Sequence, residues 1–254
     1  MLFFQTVAVA FAMFSAIPTP QFDWNEKNMR YALCAFPLVG VVCALCWLVL
    51  AFLPLPDFLR GALFCLAPVT ITGGIHLDGY ADTCDALASF GDAAQKQEIL
   101  KDPRCGAFAV IRLCAYFVMY LALCVTLTPS PRAMICAGLG FVLSRALSGW
   151  AVASLPLAKN TGLAYTFATA ADQRIVRLVL TVMAAALAIA QIAVGRMAGL
   201  AMTLAAGLVL WRYDHIARTQ FGGISGDLAG WFLQKCEIWQ LSALVFCQLL
   251  EEYI

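Results

Sequence analysis

Long apolar runs alternate with short polar connections along the whole chain. Residues 36–53, 58–72, 107–128, 134–155, 175–194 and 197–211 are almost continuously apolar. A helix needs about 20 apolar residues to cross the hydrocarbon core of a bilayer, and most of these runs approach that length. The breaks between them carry turn and breaker residues: Pro54 to Pro56 close the first run, the PSPR turn follows residue 128, and Gly195-Arg196 divides the last two runs into a helical hairpin. Residues 1–17, MLFFQTVAVAFAMFSAI, resemble a signal-peptide core but have no basic n-region and no A-x-A site before Pro18. They are read as a retained segment, short enough to be tilted or re-entrant. An apolar tail ends the chain. The pattern predicts an all-α integral membrane protein of about seven hydrophobic helices, some of them re-entrant, in a single polytopic domain over residues 1–254.

Composition strengthens this picture. The chain is 63% hydrophobic and 12% charged, with a mean hydropathy of +0.84, far from the balance of a soluble domain. A net charge of +1 leaves no basic footprint for nucleic acid. No repeat at a fixed period suggests a duplicated transporter. The eleven cysteines lie mostly inside apolar runs, where Cys packs as a small hydrophobe. Cys43 and Cys46 form a CxxC with no second pair and no nearby histidine, so a zinc or redox reading has little behind it.

Charge then sets an orientation. Connections holding Lys27 and Arg30, then Lys96, Lys101 and Arg104, then Lys159, Arg174 and Arg177, then Arg212, Arg218 and Lys235 alternate with connections holding only Arg60, Arg132 or Arg196. The positive-inside rule puts the richer set in the cytoplasm, and every polar motif with it.

The most charge-dense of those connections spans residues 73–106, GGIHLDGYADTCDALASFGDAAQKQEILKDPRCG. Asp78, Asp82 and Asp85 stand at i, i+4 and i+7, one face of a helix. Carboxylates so arranged repel one another unless a cation faces them, and hard oxygen ligands suit Mg²⁺, which is commonly held by a few carboxylates together with substrate phosphates. Gly73 and Gly74 offer close backbone approach to a ligand. Lys101, Asp102 and Arg104 in KDPRCG have the character of a phosphate clamp. His76 adjoins the acidic face with a pKa suited to a general base, although an aspartate serves that role equally well. Near the other end of the chain, residues 221–237 read FGGISGDLAGWFLQKCE, in which Gly222 and Gly223 precede Asp227 near the start of a helix, an arrangement suited to anions. Arg145 falls in mid-span, where a charge faces either a substrate path or a buried acid.

GGIHLDGYADTCDAL, the KDPRCGAF that follows, the Ser144-Arg145 pair and GGISGD together resemble the cobalamin synthase family, adenosylcobinamide-GDP ribazoletransferase, from Phe36-Pro37 to the chain's end. Tyr80, Ala86, Ala109 and Ser225 depart from the family's usual Leu, Gly, Gly and Thr, and Gln234 stands where an acid is common. The resemblance implies a multi-pass enzyme of the bacterial inner membrane, surrounded by lipid, with its site at the cytoplasmic face. It implies Mg²⁺-dependent joining of α-ribazole, or its 5′-phosphate, to adenosylcobinamide-GDP with release of GMP. In that reading Asp78, Asp82, Asp85 and Asp227 hold the metal. Gly73, Gly74, Gly222 and Gly223 approach the phosphates, and Lys101, Arg104 and Arg145 neutralise them. Asp82 and His76 are the residues nearest the proton transfer. Association with a second copy or with other enzymes of B12 nucleotide-loop assembly stays open, since no GxxxG face specifies one.

Other membrane chemistries use clustered acids. A CDP-alcohol phosphatidyltransferase would carry an Arg after its DG and then a G-x₃-D-x₃-D run, whereas the DG of Asp78-Gly79 lacks that Arg and the two acids after it, Asp82 and Asp85, are not so spaced. A prenyltransferase would carry denser acidic pairs in both motifs. A cation transporter would place its acids at mid-membrane, not in connections at one face.

Overall fold

The computed structural model describes residues 2–253, and its elements are helices throughout. In chain order they are α1 (Leu2–Phe14), α2 (Glu26–Met29), α3 (Ala32–Ala35), α4 (Pro37–Phe52), α5 (Asp57–Thr72), α6 (Ile75–Ala88), α7 (Ala93–Ile99), α8 (Ala107–Thr126), α9 (Pro131–Ser154), α10 (Leu163–Ala170), α11 (Gln173–Gly195), α12 (Met197–Ile216), a π turn (Ala217–Phe221) and α13 (Gly226–Tyr253). Four stretches, Ala32–Phe52, Ala107–Thr126, Pro131–Ser154 and Gln173–Gly195, are long and apolar enough to cross a membrane. The chain is a multi-pass all-α membrane protein, as its hydrophobic pattern predicts. The expected N-terminal segment is the short apolar helix α1.

Local chemistry explains where the helices start. Pro37 and Pro131 occupy first-turn positions whose N–H would be unpaired in any case. Ser130 accepts from the Ala133 N–H at 3.2 Å, and Asp172 accepts from the Ile175 N–H at 3.2 Å. Asp92 and Gln95 close a reciprocal capping box at α7.

α9 is the central helix. Its apolar window is 72% buried within the bundle, against 22% for α8 and 17% for α11, which face outward. Small residues make that position workable: a Cβ on Gly40 of α4 would lie 2.6 Å from the Phe141 carbonyl oxygen, so the two backbones touch where they cross.

The bundle sorts its connections by charge. At one end Arg132 donates to the carbonyls of Val194 and Gly195, while Gln248 donates to Thr128. At the opposite end Arg30 pairs with Asp172 at 2.6 Å, Gln97 of α7 donates to Phe221 at 2.7 Å, and Lys159 donates to Gln97. Pro156 accepts from the Ile224 N–H at 2.8 Å, and Ala158 donates back to Ile224 at 2.9 Å. These bonds gather the basic-rich connections, and both glycine-aspartate motifs, at a single end.

Candidate active site

The acidic stretch owes its shape to two glycines. Gly73 and Gly74 have φ of 66° and 80°, a left-handed pair that L side chains rarely tolerate, and the turn they make swings α6 by 95° from α5. α6 therefore does not continue α5 across the membrane. It carries Tyr80, whose ring meets Tyr116 of α8 at 5.2 Å between centroids.

α13 closes on α6 through bare backbone. A Cβ on Gly79 would stand 2.7 Å from the Asp227 carbonyl oxygen and 2.8 Å from its Cα, and one on Gly230 would stand 2.8 Å from the His76 carbonyl oxygen. That approach brings Asp227 to the helix that carries Asp78 and Asp82. Gly79→Ala is expected to destabilise the protein by about 1–3 kcal/mol, the usual cost of overpacking, read as a lower melting temperature in detergent. An unchanged melt would mean that the two helices need not touch.

Two cavities flank the carboxylates. A groove of about 520 Å³ is lined by Asp78, Asp82, Ala81, Pro103 and Cys105, so the KDPRC loop borders the acidic face. A second cavity of about 330 Å³ lies on the other side and is reached by both Asp78 and Asp227. The charges feel one another. Burial, then Asp78, Asp227 and Asp85 in that order, push the Asp82 carboxyl up to about 6. Burial also raises the Asp227 carboxyl, opposed by the Ser225 hydroxyl that bonds it at 3.4 Å and by Lys159. Lys159 is a site neighbour that a reading of linear motifs passes over, because it lies in an unremarkable loop and meets the aspartates only through the fold.

The other expected residues distribute unevenly. One oxygen of Asp85 accepts from the Ala109 N–H at 3.3 Å, satisfying an unpaired amide at the start of α8, so Asp85 anchors a helix as well as facing the acids. Lys101 is paired with Glu98, and Arg104 is clamped twice on Asp102, at 2.9 and 2.7 Å. That contact holds the Asp102 carboxyl down to about 2. All four side chains are solvent-facing or nearly so, and exposed pairs contribute little to stability, which leaves both cations available to an incoming phosphate. Gly73 and Gly74 line the 520 Å³ groove; their N–H groups go to Val69, and those of Gly222 and Gly223 go to Ala217. Their amides are used by the fold and shape its turns.

His76 and Arg145 are both buried. His76 is 7% exposed and stacks on Phe36 at 5.6 Å, facing the 330 Å³ cavity and not the acidic groove. Arg145 is wholly buried, paired with Glu237 at 2.7 Å and bonded to the Phe141 carbonyl at 2.9 Å. Of the two readings for a mid-span arginine, this geometry is the ion pair with a buried acid. Gln234, which stands in place of a common acid, accepts from the Tyr116 hydroxyl at 2.6 Å.

Among the described residues no three His, Cys, Asp or Glu side chains converge closely enough to hold a metal ion by themselves. The carboxylates nevertheless offer only hard oxygen donors, and their crowding elevates Asp82. That chemistry fits a hard divalent cation that brings part of its own coordination shell, as Mg²⁺ does with phosphate.

Relatives share nearly the whole chain. A protein of Lachnoclostridium phytofermentans called adenosylcobinamide-GDP ribazoletransferase is 41% identical over 244 residues, covering 94% of this chain and 93% of its own. Proteins of the same name from Geobacillus kaustophilus, at 32% identity over 93% of this chain and 96% of theirs, and from Clostridium perfringens strain 13, at 29% over 93% and 95%, are also similar. No solved structure matches. The model of the family described as cobalamin-5-phosphate synthase matches residues 6–245, and the chain belongs to that family.

Proposed function

We propose that this chain transfers the adenosylcobinamide-phosphate moiety of adenosylcobinamide-GDP to a ribose hydroxyl of α-ribazole or of its 5′-phosphate. The new P–O bond forms at the phosphorus bearing the corrinoid arm, the bridging P–O bond of the pyrophosphate breaks, and GMP leaves. The observation that carries this reading is the meeting of Asp78 and Asp82 on α6 with Asp227 on α13 between two cavities, in a chain whose relatives bear the ribazoletransferase name. Asp78, Asp82 and Asp227 would hold Mg²⁺, which when bound neutralises charge on the pyrophosphate and on the departing GMP. Asp82 would also be the acceptor for the proton of the attacking hydroxyl. Lys101 and Arg104 exchange Glu98 and Asp102 for substrate phosphate, and Lys159 adds positive charge beside Asp227. The site lies on the cytoplasmic face of the inner membrane, supported by the gathering of the basic-rich connections at one end of the bundle. Residues 1–254 act as one domain.

The test is GMP release by purified protein in liposomes supplied with both substrates, with and without Mg²⁺. Mg²⁺-dependent GMP accompanied by a cobalamin product supports the assignment. Folded protein that releases no GMP would refute it, and CDP-alcohol substrates would be next.

A pH signature follows from Asp82. Its carboxyl is raised above the ordinary 3.8 in the folded chain, so its contribution to stability is fully present below about pH 4 and is lost as pH rises through about 6. A divalent ion competes with that proton. Added Mg²⁺ should therefore raise the melting temperature more at pH 8 than at pH 5, and equal shifts at the two pH values would contradict the carboxylate site.

A further inference from the structure

The cavity of about 330 Å³ on the Asp227 side of α6 has a lining that the phosphoryl chemistry does not use. Phe14, Phe36 and Phe167 make one continuous aromatic wall, with ring centroids 4.2 Å apart for Phe14 and Phe36 and 5.3 Å apart for Phe14 and Phe167. These rings come from α1, the α3–α4 junction and α10, which are distant in sequence. His76 stands against the same wall, stacked on Phe36. It is buried, its Nδ1 has no partner, and its ring makes no hydrogen bond among the described residues. A buried polar ring without a partner costs stability unless a ligand supplies one. The charged groups that line the cavity are Asp78 and Asp227.

The cavity is thus mainly apolar and aromatic, with the His76 ring and Ser148 as its uncharged polar lining. It offers no cation to a pyrophosphate. Its volume falls at the small end of ordinary ligand sites, well short of a corrinoid. A flat uncharged bicyclic heterocycle with one free ring nitrogen matches it, since such a ring stacks on phenylalanine and asks for a single hydrogen bond.

We propose that this cavity is the acceptor subsite: the benzimidazole of α-ribazole lies against Phe14, Phe36 and Phe167 with its free ring nitrogen bonded to His76, and the attached ribose reaches out to Asp78 and Asp227. The inference rests on the transferase reading. It makes His76 a recognition residue and not the base, and it places acceptor and donor on opposite sides of α6, with the acidic groove left to the larger donor.

The test uses Ala164→Phe, which fills the cavity from α10, and His76→Gln as a milder second variant. Two readouts are taken on protein in lipid nanodiscs: binding of α-ribazole alone by calorimetry, and KM for each substrate in turn. Both variants are expected to raise the acceptor KM about 10-fold or more while moving the donor KM less than about 2-fold, and to weaken α-ribazole binding in parallel. Unchanged acceptor binding in both variants would overturn the subsite, as would a shift confined to the donor. Should wild-type protein release no GMP, the transferase reading fails on its own. The calorimetry then decides the cavity separately, because α-ribazole binding lost in Ala164→Phe supports an aromatic riboside site and undetectable binding to wild type rejects it.

Discussion

Asp82→Asn is expected to cut GMP release by about 10²-fold or more, the scale on which a single preorganised electrostatic contact at a reacting centre is lost. The exchange keeps the shape of the side chain and removes one negative charge together with the proton acceptor. Its effect on folding runs the other way. Asp82 is the carboxyl that burial and three neighbouring acids push up to about 6, so at pH 8 neutralising it relieves repulsion, and the melting temperature should hold or rise. Lost activity with retained or improved stability separates chemistry from folding. Asp85→Asn provides the contrast. An asparagine oxygen can still accept from the Ala109 N–H, so that variant should keep α8 anchored and lose less activity than Asp82→Asn. Equal activity of Asp82→Asn and wild type would remove Asp82 from the site.

Much of this was legible in the chain because apolar length and charge density are local properties. The runs at 107–128, 134–155 and 175–194 became α8, α9 and α11 with small shifts of their ends, as a hydrocarbon core demands. The i, i+4, i+7 spacing of Asp78, Asp82 and Asp85 survived as one face of α6, because helical period needs no tertiary information. What stayed hidden depends on pairing at a distance. Nothing near His76 in sequence announces Phe36 as its neighbour, and nothing near Lys159 announces Asp227. The glycine motifs are ambiguous for a related reason. A paired glycine before an acid reads equally as a phosphate cradle or a tight turn, and only the destinations of the N–H groups, Val69 and Ala217, separate the two. Asp85 looked like its two neighbours until the start of α8 came to rest against it.

Arg145→Met alone is expected to destabilise the protein by about 3–5 kcal/mol, because it strands Glu237 as an unpaired charge in the bundle interior. Both side chains are essentially inaccessible, and their 2.7 Å contact is reinforced by the Phe141 carbonyl at 2.9 Å and the Cys43 sulfur at 3.7 Å. A charge left alone there has no partner of comparable strength. Replacing the pair by apolar residues of similar volume is often nearly neutral, so Arg145→Met combined with Glu237→Met should recover most of the lost stability. Activity then distinguishes the two roles of a mid-span arginine. A pair that only ties α9 to α13 predicts that the folded double variant releases GMP within about 10-fold of wild type. An Arg145 that stabilises the reacting phosphates predicts a double variant that melts normally and releases no GMP. The geometry favours the first outcome, because Arg145 is committed in the interior to Glu237, Phe141 and Cys43 while Asp78, Asp82 and Asp227 gather at the polar end. Glu237, just under one turn beyond Gln234 on the same helix, then acts as the fastener that holds α13 in the position where Gly79 and Asp227 can meet.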